Sequence, residues 1–153
     1  MYTTIEPSEL DPRLIGLKSL HGYGYISCET ILFQEGMLNQ LPREITMIGS
    51  ESRHWNVGEH RFRVRKMKDK FLYHPFGIIE KNGIRQAMVE RAVADLLYFH
   101  ARAPLDAPMN WAHIQSIQRA IGYPLTPHRY TSSYGSTPHQ THLVRFERDA
   151  VGH

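Results

Sequence analysis

Leu14, Leu17 and Leu20 recur three residues apart in "LDPRLIGLKSLHGYG" and predict a helix. Asp11 stands at the N-cap position, Pro12 at the first helical position and Gly22 at the exit. "ISCETILFQEGM" predicts a second, short helix, with Ser27 as its cap, Ile31 and Leu32 toward the core and Gly36 closing it. In "REITMIG" (43–49) the period falls to two, as Ile45, Met47 and Gly49 alternate with Thr46 and Ile48, and a strand is predicted. "HWNVGEHRFRVRKMK" reads as a hairpin turning near Gly58-Glu59. Asn82-Gly83 in "GIIEKNGIRQA" is a stronger hairpin signal, because both residues tolerate the positive φ of a two-residue turn. A helix follows over 88–101, with Val89, Ala92, Val93, Leu96, Leu97 and Phe99 as its apolar face and Glu90, Arg91 and Asp95 largely outside it. Asn110 then caps "WAHIQSIQRAIG", with Ile114, Ile117 and Ile121 on one side and Gly122 as the stop. "HLVRFER" (142–148) reads as a final strand.

Helices, strands, then helices again predict an α+β domain in which an antiparallel sheet with hairpins packs against several helices. Residues 1–20 form an N-terminal segment with a short helix, 21–123 the core, and 124–153 an extension rich in Pro, Thr, Ser and His, predicted to be loosely ordered. A chain of 153 residues fits one domain, and 41% apolar with 22% charged residues is ordinary for a soluble globular protein. The net charge of +3 is too mild for a dedicated nucleic-acid arm. A single cysteine, Cys28, cannot form an internal disulfide and fits a reducing compartment, the cytoplasm. The start "MYTTIEPSEL" lacks a signal-peptide pattern, and no apolar run is long enough to span a membrane.

Charge is concentrated in "HRFRVRKMKDK" (60–70). Arg61, Arg63, Arg65, Lys66, Lys68 and Lys70 stand against Asp69 there, a net of +5, which leaves the remaining chain at −2. On a strand Arg61, Arg63 and Arg65 share one face and Phe62 and Val64 the other. Such a row repels itself unless something negative lies against it. One reading takes Arg61, Arg63, Arg65, Lys66 and Lys68 as a surface for an acidic protein or for DNA or RNA phosphates. The other is a solvated face neutralised by Glu59, Glu44 or Glu80.

Other chemistries find less support. His139 and His142 in "HQTH" are the one close histidine pair, and zinc needs three or four convergent ligands. No metal or cofactor is expected. A PD-(D/E)xK-like nuclease needs an acid–x–Lys strand, whereas Glu59 is followed by Arg61. "IGSES" (48–52) lacks the carboxylate pair with which a nucleotidyltransferase holds Mg²⁺. Trp55, Trp111 and the tyrosines of "RYTSSYG" read as core or edge residues, and Tyr23 and Tyr25 as packing aromatics that could also stack on a base. Arg91 and Asp95, four apart on a helix, can pair, or Asp95 can bond a neighbouring loop. Neither has a second carboxylate or His at a spacing that suits acid–base catalysis.

Taken in order, "GYISCETILFQEGML", "LPREITMIG", "HRFRVRKM" and "GIRQAMVERAVADLLYF" resemble the C-terminal domain of AbiEi-type antitoxins of type IV abortive-infection pairs. Ser27, Glu29, Ile31 and Leu32 match the family's first helix, and Pro42, Ile45 and Thr46 its "P-x-x-I-T" strand. His60, Phe62, Arg63 and Arg65 match its basic strand. Ala87 to Leu97 match an "A-x-P-E-K-A-L-x-D-L-L" helix, with Glu90, Arg91 and Asp95 in place and Val89 where the family has Pro. The resemblance covers roughly 21–100. It implies a non-enzymatic antitoxin that opposes a nucleotidyltransferase-like toxin encoded beside it, by contact or by antagonism. Family members also carry an N-terminal winged-helix domain, for which the residues before 21 leave no room, so operator binding is not carried over. The alternatives are a nucleic-acid-binding transcriptional regulator and, further off, the nuclease.

Overall fold

Both predicted hairpins form. Asn82 at φ 54° and Gly83 at φ 80° join β5 (Ile78–Lys81) to β6 (Ile84–Ala87), the two positive φ angles that an Asn-Gly turn supplies. Gly58 at φ 59° helps join β3 (Arg53–Val57) to β4 (His60–Lys66). The computed structural model describes residues 11–99, 104–105, 109–125 and 142–143. It places these hairpins at opposite ends of a six-stranded sheet of order β3-β4-β2-β1-β6-β5, with β1 (Gly24–Ile26) and β2 (Ile45–Gly49) between them. Three of the strand pairs are antiparallel, and two, β2–β4 and β1–β6, are parallel. The α+β class holds, with a sheet that is mostly antiparallel and mixed overall. Its parallel pairs arise because each hairpin joins the centre through its second strand.

Periodicity predicts no strand over 24–26, yet β1 is central. All three of its residues are buried, so no alternation marks it. It runs antiparallel to β2 with Tyr25 opposite Ile48 and Ile26 opposite Met47.

Helices cover both faces. α1 (Pro12–Lys18) is capped as predicted, with Asp11 Oδ1 accepting from the Arg13 N–H at 2.9 Å. It ends at Lys18, short of Gly22, with Ser19 as its C-cap. It meets the sheet through a bare glycine, since a Cβ at Gly16 would stand 2.8 Å from the Phe62 ring. α4 (Val89–Tyr98) and α5 (Trp111–Ile121) lie on the opposite face, on the side of Tyr25 and Ile48. Asn110 caps α5, and Gly122 at φ 99° ends it. α2 (Glu29–Gln34) and α3 (Asp69–Leu72) are short connectors. β7 (Pro104–Leu105) and β8 (His142–Leu143) form a small antiparallel pair. The predictions for 124–153 otherwise lie almost wholly outside the described residues, including "RYTSSYG", His139 and 144–148. Among the described residues no helix is long and apolar enough to cross a membrane.

Ser27 does not cap α2. The N-cap is Cys28, held at φ 60° and ψ −137° with no side-chain cap bond. A non-glycine residue in that conformation carries strain of about 1–3 kcal/mol, which the surrounding packing must sustain.

Candidate functional site

The arginine row has the predicted alternation. Phe62 and Val64 are buried under α1, while Arg61, Arg63 and Arg65 point to the face that carries α4. Register fixes their neighbours: Arg61 lies beside Asn56, Arg63 between His54 and Thr46, and Arg65 beside Ile48. The row runs out from beneath α4. Arg65, half-buried, stacks its guanidinium over the Phe99 ring at 5.3 Å, just past the helix end. Arg63 is half-buried beyond it, and Arg61 is exposed at the open end.

Of the local acids, Glu44 lies nearest the row: it precedes Ile45, which is opposite Phe62, and its carboxylate reaches His54 across β4 at 3.8 Å. Glu59 is in the β3–β4 turn, and Glu80 sits at the far end of the sheet opposite Arg85. Among the described residues, none of the three arginines has a carboxylate within ion-pair distance. Lys66 and Lys68 do not extend the row. Lys66 falls on the opposite face, opposite Gly49, and Lys68 is the N-cap residue of α3.

Arg91 and Asp95 depart from the expectation. Helical periodicity puts them outside the apolar face of α4, yet both side chains are fully buried. Asp95 accepts from Ser27 Oγ at 2.7 Å, Tyr25 Oη at 3.0 Å, Tyr123 Oη at 2.6 Å and Arg91 Nε at 3.3 Å. Arg91 also donates to the backbone carbonyls of Phe71, His74 and Phe76 and to Tyr25 Oη. Gly77 at φ 79° admits it, because a Cβ there would stand 2.8 Å from Arg91 Cβ. One cluster thus ties β1, α4, the end of α5 and the 71–76 turn together.

Its electrostatics are those of a sealed structural ion pair. Burial pushes the Asp95 carboxyl upward, against the pull of Arg91 and three hydroxyl donors. Burial opposes the Arg91 charge most strongly, but Asp95 together with Tyr25 and Tyr123 outweighs it and raises the pKa. Burial and the Asp95 charge lift the phenols of Tyr25 and Tyr123 far above the ordinary range. Groups so enclosed have no route for a substrate. Glu90, on the first turn of α4, faces α5 instead, 3.4 Å from His113.

Tyr25, Ser27 and Tyr123 are the cluster members that sequence reasoning missed. Each is polar with an ordinary local role, and no spacing connects residue 25 with 95 and 123. Cys28, despite its strained position at a strand-to-helix turn, is fully buried, and burial drives its thiol pKa up, the reverse of what a nucleophile needs. Among the described residues no three His, Cys, Asp or Glu side chains converge as metal ligands would. Glu59, the acid on which the nuclease alternative rests, is exposed in a turn. No family model, no curated protein and no solved structure matches the chain.

Proposed function

We propose that this chain is a non-enzymatic, antitoxin-like binding protein that acts in the cytoplasm and opposes a nucleotidyltransferase-like toxin encoded beside it. The resemblance over roughly 21–100 supports this reading. The observation that carries the contact surface is the row Arg61, Arg63 and Arg65, which leads outward on an open sheet face with no carboxylate in ion-pair range among the described residues. Like charges at alternate positions of one strand, none of them in an ion pair among the described residues, favour a negative partner. A toxin active site that holds metal through carboxylates has the complementary sign, which speeds encounter and excludes wrong partners.

The test is growth rescue. The neighbouring reading frame is induced with and without this chain, and with Arg61→Glu/Arg63→Glu. Rescue by the parent chain and its loss in a folded double variant are expected. Unchanged rescue by that variant would remove the surface assignment, and persistent toxicity beside soluble parent chain would remove the antitoxin reading. Steep, log-linear weakening with salt against DNA or RNA would favour the regulator instead.

A further inference from the structure

The α1 side of the sheet, opposite the arginine row, carries an open polar cleft of about 340 Å³. Arg13 of α1, Gln34 at the end of α2, Lys81 and Asn82 of the β5–β6 hairpin and Gln86 of β6 line it. Its floor is unusual. Gln86 is only 3% exposed, yet its carboxamide enters no side-chain hydrogen bond among the described residues. It is not sealed in the core either, since it lines the cleft. Its amide therefore faces whatever fills the cleft, water or a ligand group.

Charge selects between ligands. Two cations and three carboxamides converge, and no carboxylate lines the cleft. Arg13 is already held by Asp11 at 2.6 Å and donates to Gln34, which fixes its guanidinium in the wall. Lys81 makes no ion pair among the described residues. The volume lies at the lower end of small-molecule sites, roughly 300–1,000 Å³, and far exceeds the roughly 30 Å³ share of one water.

We propose that this cleft binds a small oxyanion, a carboxylate or phosphate group of a low-molecular-weight ligand, with the Gln86 carboxamide donating from below and Lys81 supplying the charge. Arg13 completes the wall and keeps its bond to Asp11. The site stands apart from the antitoxin reading, because it lies on the other face of the sheet and uses none of the row's residues.

The test is thermal melting and titration calorimetry of the full chain with inorganic phosphate and, separately, succinate, at constant ionic strength set with sodium chloride. Saturable stabilisation by one of the two at millimolar concentration is expected, and which one responds identifies the anion class. Lys81→Met, an exposed change that leaves the core intact, should weaken binding about tenfold or more, the loss of one charge-assisted hydrogen bond. Gln86→Leu should do the same. Arg61→Glu/Arg63→Glu should leave binding unchanged. No saturable response to either anion overturns the proposal, as does equal binding by Lys81→Met, or loss of binding in the Arg61→Glu/Arg63→Glu variant.

Discussion

Arg91 and Arg63 are the same side chain in opposite circumstances. Arg91 is fully buried, and its donors reach one carboxylate, one phenol and three backbone carbonyls. Arg63 is half-buried on an open sheet face between His54 and Thr46, with Arg61 and Arg65 as its like-charged neighbours along the strand. The first arginine is committed to the fold and is unavailable to a partner. The second has no ion-pair partner among the described residues. A basic residue's meaning lies in where its donors end, and charge counted along the chain does not reveal it.

The contrast is sharpest in stability. Asp95→Ala strips Arg91 of its counter-charge inside the core and should cost about 3–5 kcal/mol, or prevent folding outright, as urea denaturation would measure. Arg91→Met/Asp95→Leu removes both charges and should cost less than Asp95→Ala alone. A double variant as unstable as the sum of its singles would mean that the two residues do not act as a pair.

High pH attacks the same cluster. The folded-state pKa values of Tyr25 and Tyr123 are raised. Their contribution is therefore fully present below the ordinary tyrosine range near pH 10 and is lost as pH rises beyond it, because the unfolded chain releases phenolic protons that the folded chain retains. Each tyrosine adds a slope of up to about 1.4 kcal/mol per pH unit. Urea midpoints measured from pH 8 to 11 should fall, and Tyr25→Phe should flatten the fall.

Ser27→Ala removes one neutral donor to a buried carboxylate and should cost about 1–3 kcal/mol. If Ser27 instead capped α2, the loss would appear as local fraying of 29–34 in hydrogen exchange. The structure places it on Asp95 at 2.7 Å, so exchange in that segment should change no more than in the rest of the core.

The smallest effect belongs to the open face. Arg61→Ala and Arg63→Ala should each change stability by within about 0.5 kcal/mol, while the pair together weakens rescue in the growth assay. A large loss of stability from either would make the row structural and end its claim to be a surface.

Local signals proved sufficient wherever neighbouring residues decide the outcome. Asn82-Gly83 dictates its turn through backbone conformation, and Asp11 with Pro12 and Asn110 with Gly122 bound their helices through caps. Period two in 60–66 placed Phe62 and Val64 inside and the arginines outside. The same local logic failed at β1, where burial on both faces erases alternation. It failed again at Arg91 and Asp95, where charge alone suggests a solvated helix face. Their burial depends on Tyr25, Ser27 and Tyr123, drawn from distant parts of the chain, and on the bare backbone of Gly77. The sequence by itself determined the hairpin turns, the N-cap of α1, both caps of α5, most of the elements and the arginine row. Tertiary structure alone decided which charges are enclosed and which stay open, because the free energy of a charged group depends on what packs around it and not on its neighbours along the chain.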